Sequence, residues 1–117
     1  MNHVATLTLR SAEHAFEGTG LHDATLESVT MIWNEAELSA VVVLLGGIGA
    51  KLTFHEVTSA VLPRELPWGP SISINAAREL QEGVYEIEMQ SGDRLRIAAS
   101  SWSMRMSAVP MSNRADP

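Results

Sequence analysis

Residues 84–99, VYEIEMQSGDRLRIAA, constrain the fold more than any other stretch of this chain. Tyr85, Ile87 and Met89 alternate with Glu86, Glu88 and Gln90. After Ser91-Gly92-Asp93 the alternation resumes with Leu95 and Ile97. Successive side chains of a strand point to opposite faces, so this period of two with a glycine-bearing break predicts a β-hairpin. Its apolar face needs a second layer to cover it, which drives the chain toward packed antiparallel strands.

The same period recurs upstream. VATLTL (4–9) reads as an opening strand. In ATLESVTMIW (24–33), Val29, Met31 and Trp33 share a face while Leu26 is out of phase, which predicts a bulge near Glu27-Ser28 and then a turn at Asn34-Glu35. LSAVVVLL is apolar at nearly every position, the pattern of a central strand covered on both sides. The glycines at 46, 47 and 49 turn the chain into KLTFHEV, where Leu52 and Phe54 oppose Lys51, Thr53 and His55. Ile72 and Ile74 alternate with Ser71, Ser73 and Asn75, and Gln81-Glu82-Gly83 supplies a turn. SAEHAFEG (11–18) is expected to form a turn or two of helix capped by Ser11. Trp102 and Met104 are expected to prolong the last strand past a kink at Ser100-Ser101.

The expectation is an all-β domain over residues 1–105, mainly an antiparallel sandwich or small open barrel of about six strands with little helix. Residues 106–117, with two prolines and few apolar anchors, are expected to form a loosely ordered C-terminal tail.

Composition narrows the partners. A chain of 117 residues has room for one core. With 14 acidic against 8 basic residues, a net charge of −6 argues against nucleic-acid binding; it serves either to attract a basic protein partner or simply to keep the molecule soluble. Cysteine is absent, which removes disulfides, thiolate metal sites and thiol nucleophiles. No basic segment followed by an apolar stretch opens the chain. The longest apolar run, 38–50, is broken by glycines and shorter than the roughly twenty residues a membrane helix needs. These features predict a cytoplasmic protein that binds no membrane.

Motifs of catalysis are weak. GGIGAK lacks the glycine spacing of a phosphate loop and leads into a strand pattern. Gly69-Pro70-Ser71 is not a nucleophile elbow, and its proline removes an amide. His22-Asp23 and His55-Glu56 pair metal-ligating residue types at strand edges, yet neighbours on a strand face opposite ways, so each pair offers one ligand to a given site. His22, Asp23 and His55 are the candidate ligand-binding residues; no metal and no cofactor is expected. Glu86 and Glu88 share a face and read as solvated charges. In PWGPS (67–71) two prolines and a glycine fix a loop around Trp68, either as a plug for the open end of the sandwich or as a rigid aromatic anchor for a partner.

The order GLHDATLESV (20–29), LPRELPWGPSISI (62–74) and YEIEMQSGDRLRI (85–97) resembles a group of small uncharacterised bacterial proteins carrying His-Asp-Ala, Pro-Trp-Gly-Pro-Ser and Met-Gln-Ser-Gly-Asp motifs. More loosely, the chain is similar to small all-β immunity proteins of bacterial toxin systems. The resemblance implies a non-enzymatic binding protein acting through a protein–protein surface. Trp68 would be its anchor, and Glu86, Glu88 and Asp93 would supply electrostatic steering. The alternatives are a small-ligand or metal-binding β domain, and a homo-oligomer formed by edge pairing of strand 38–45.

Overall fold

The computed structural model describes residues 6–65 and 72–110, the last three through their backbone. The alternation becomes nine strands among the described residues: β1 (Thr6–Arg10), β2 (Thr25–Ile32), β3 (Glu37–Leu44), β4 (Ile48–His55), β5 (Ser59–Val61), β6 (Ile74–Gln81), β7 (Val84–Met89), β8 (Arg94–Ala98) and β9 (Ser101–Pro110). They form two antiparallel sheets, β1-β9-β4-β3-β2 and β5-β8-β7-β6, neither closed into a barrel. The fold is therefore the antiparallel sandwich. Among the described residues no helix is long and apolar enough to cross a membrane.

The strand count exceeds the expected six for identifiable reasons. Register shifts at Ile74/Ala76 and Glu79/Gln81 break the alternation of β6, and β5 has only three residues. The kink expected at Ser100-Ser101 is where the chain changes sheets. Trp102 and Met104 belong to β9, which inserts between β1 and β4 rather than prolonging β8. That strand runs to Pro110, so residues 106–110 are part of the sheet and not of a tail; 111–117 lie outside the described residues.

The predicted bulge is present, with the β2–β3 register shifting between Leu26 and Ser28. Strand β3 is central, as expected, but it is covered on one face only. Leu38, Ala40 and Val42 are buried while Ser39, Val41 and Val43 are half-buried on the outer face. Neighbouring side chains on β2 and β4 shelter them, so no second layer is required. Being paired on both sides, β3 has no free edge, which removes the edge-pairing route proposed for segment 38–45.

In place of a capped helix, residues 11–18 form a turn and a short 3₁₀ segment, Phe16–Gly18. Ser11 does not cap it; its Oγ accepts the Trp102 amide at 3.2 Å. This connection drives Phe16 into the core, where its ring meets Phe54 at 5.8 Å, Tyr85 at 5.2 Å and Trp102 at 5.6 Å. Phe54 and Trp102 come from the five-stranded sheet and Tyr85 from the other, so one ring from a connecting loop joins both layers. Burial raises the Tyr85 phenol above its ordinary pKa, helped by the charges of Glu79 and Glu82.

Candidate functional site

Sequence alternation places Trp33 with Val29 and Met31 on one strand face. The structure instead ends β2 at Ile32 and carries Trp33 on the 3₁₀ turn Trp33–Glu35. Its ring is 86% exposed. Nine large hydrophobic residues are exposed among those described, and three of them, Met31, Trp33 and Leu62, come from two segments, 31–33 and 61–62, that face one another. Between those segments runs a groove of about 650 Å³, lined by Met31, Trp33, Val57, Ala60 and Leu62 among others. Scattered exposed apolar residues need no explanation, but a contiguous patch on a folded chain marks an interaction surface.

Strand β5 forms one wall of the groove and is also the outermost strand of its sheet. Sheet edges invite further strands unless blunted by charge, bulge or cover. Three of the four edges carry such devices: Arg10 on β1, Glu27 and a bulge on β2, and Arg78, Glu79 and two irregularities on β6. The Ser59-Ala60-Val61 edge has neither charge nor bulge, only brevity and Pro63 soon after.

Local backbone strain concentrates here. Ala36 and Glu56 take left-handed φ values of 53° and 54°, a conformation that disfavours side chains by about 1–2 kcal/mol each. The Val57 amide donates to the Ala36 carbonyl at 2.8 Å, which ties the two strained turns together beneath the groove. Glu35 sits on the turn that carries Trp33 and Glu56 on the other, where it accepts from Ser100 Oγ, while Glu37 faces His55 on the outer face of the sheet.

The residues selected from sequence fare differently. Trp68 lies outside the described residues. Glu86 is not a solvated charge: it is 1% exposed. Register explains this, because β6 and β8 set Arg78 and Arg96 on either side of it. Arg78 donates to Glu86 at 2.6 Å and to Glu88 at 3.1 Å, and Arg96 donates to Glu86 at 3.1 Å. Burial pushes the Glu86 carboxyl up, but the hydrogen bonds from Arg78 and Arg96, with the charges of Arg94 and Arg96, prevail and hold it below its ordinary value. Glu88 is half-buried in the same network. Asp93 is also buried, accepting from Ser91 Oγ at 2.9 Å and from the Glu65 amide at 3.2 Å. It fastens the turn and the segment after β5, as short acidic side chains in turns do. The reading of Glu86 and Glu88 as solvated charges is thus corrected: the first is buried and the second half-buried.

The two His-acid pairs do not converge. His22 bonds the Asn75 carbonyl and lies 3.4 Å from Asp23, which accepts from Gln90 at 3.0 Å. His55 ends β4, level with the Ile32 end of β2, whereas His22 precedes the Thr25 end, and the eight residues of β2 span about 25 Å. Among the described residues no three His, Asp or Glu side chains are grouped as a metal site requires.

His55 has other company. Its Nε2 lies 3.0 Å from Ser103 Oγ and its Nδ1 3.4 Å from Glu37. The order carboxylate, imidazole, hydroxyl is that of a hydrolytic triad. Sequence reasoning missed it because the three residues come from β3, β4 and β9. Strand β9, however, is paired on both sides, so its amides are committed to ladders. Among the described residues, the β9 amides beside Ser103 are therefore not available to hold an oxyanion.

No protein-family model, curated protein or solved structure matches this chain.

Proposed function

We propose that this chain is a non-enzymatic binding protein that takes an extended, apolar segment of a basic protein partner into the Trp33 groove. The observation that carries the reading is Trp33, 86% exposed on a short turn beside an unblunted sheet edge. The partner segment adds a strand to β5 and lays alternate side chains along the groove against Trp33, the mode known as β-augmentation. An edge of three residues supplies few main-chain hydrogen bonds, each contributing about 0.5–1.5 kcal/mol net. A buried tryptophan anchor contributes about 2 kcal/mol or more, so Trp33 dominates the affinity. Glu35, on the same turn as Trp33, and the net charge of −6 favour a cationic partner and speed its approach. An immunity-like role, in which the surface blocks a basic toxin, is the form of this reading that the sequence resemblance suggests.

The reading is tested with a synthetic peptide alternating valine and threonine between terminal lysines, titrated calorimetrically. Saturable binding is expected, weakened about thirtyfold by Trp33→Ala and abolished by Ala60→Lys, which puts charge on the β5 edge. A folded Trp33→Ala protein that binds the peptide as tightly as the parent would sink the proposal. So would light scattering that finds a dimer lost in Ala60→Lys, since a second copy would then be the occupant.

A further inference from the structure

The outer face of the five-stranded sheet carries a second, separate feature. Pairing sets Thr8, Arg105 and Lys51 in one row across β1, β9 and β4, and Arg10, Ser103 and Thr53 in the next. These residues and Thr6 line a shallow depression of about 560 Å³. Its lining holds three cations and no carboxylate, although acidic residues outnumber basic ones 14 to 8 in the chain. Among the described residues none of Arg10, Lys51 and Arg105 is ion-paired. Lys51 and Arg105 stand directly opposite each other, an arrangement that like charge makes unfavourable. Glu37 on the same face is turned to His55.

The other sheet makes the contrast. There Arg78 and Arg96 are neutralised from within by Glu86 and Glu88. Here the fold assembles a comparable group of cations and, among the described residues, pairs none of them with a carboxylate.

We infer that this depression binds a compact polyanion bearing linked phosphate groups. Adjacent strands set the cations about 5 Å apart, and two residues along a strand add about 7 Å. Long arginine and lysine side chains close over such a spacing, and a ligand with more than one phosphate engages all three. Arginine meets phosphate oxygens through paired N–H donors, and the hydroxyl of Thr8 adds a single one. A nucleic acid fits less well: no aromatic side chain lines the depression for base stacking, and the net charge of −6 opposes a long polyanion. The site shares no residue with the Trp33 groove and stands or falls independently of it.

The test is calorimetric titration with tripolyphosphate at about 50 and 200 mM salt, with orthophosphate and oligothymidylate as comparisons. Variants Lys51→Gln/Arg105→Gln and, at the sheet edge, Arg10→Gln are measured beside the parent after circular dichroism confirms folding. Tripolyphosphate is expected to bind saturably, more tightly than orthophosphate and more weakly at the higher salt. Loss of about tenfold or more in affinity is expected in the double variant, with a smaller loss for Arg10→Gln. Absence of binding to the parent, unchanged affinity in both variants, or tighter binding of oligothymidylate than of tripolyphosphate would each overturn the inference.

Discussion

Glu86 keeps its charge at 1% exposure because Arg78 and Arg96 approach it from both neighbouring strands. A carboxylate buried with hydrogen-bonding cations is stable as a pair and unfavourable once either side is removed. Its depressed folded pKa fixes the sign of the pH effect. The contribution is fully present above the ordinary glutamate value of 4.5 and is lost as pH falls through the lower folded value. Glu86→Gln is expected to lower stability by about 1–3 kcal/mol at neutral pH, with the gap to the parent closing below about pH 4.5. Urea denaturation of both proteins across the acid range measures this; a gap that widens toward acid contradicts the assignment. The sequence showed Glu86 and Glu88 sharing a face, but the arginines that bury Glu86 arrive through strand pairing across turns. No local pattern reports them.

At the scale of the element, the decisive feature is where β2 stops. Ala36 holds φ 53° to close the turn that displays Trp33 and starts β3. Glycine adopts that conformation without steric strain but loses more freedom on folding, so Ala36→Gly is expected to stabilise by about 0.5–1 kcal/mol. A small rise in melting temperature would confirm the left-handed turn, and a fall would contradict it. Much at this scale was legible. The 84–99 hairpin, the bulge at Leu26/Ser28, the turn at Asn34-Glu35 and the inward Leu52 and Phe54 all follow from period-two patterning and turn chemistry. Strand β5 and most of β6 were not. Three residues make no period, and irregular register erases one. The exposure of Trp33 was not legible, because alternation assigns a face without saying what covers it.

For the whole molecule, stability rests on the ring cluster joining the sheets around Phe16. Phe16→Ala removes that link from both layers at once, and a loss of about 3–5 kcal/mol is expected. For a domain this size that is a large share of the total and lowers the melting temperature by well over about 10 °C. A fall of only a degree or two would show that the sheets hold together without it. The sandwich also explains why the candidate groove was hidden in the sequence. Its walls, the end of β2 and the edge of β5, belong to different sheets and meet only when the layers pack. The most direct measurement is a backbone-amide NMR titration with the lysine-flanked valine–threonine peptide. The account predicts shift changes concentrated at residues 31–36 and 57–62, with slowed amide exchange along Ser59–Val61 as a new strand pairs there. Changes confined to another face, or none at all in the folded protein, would contradict it.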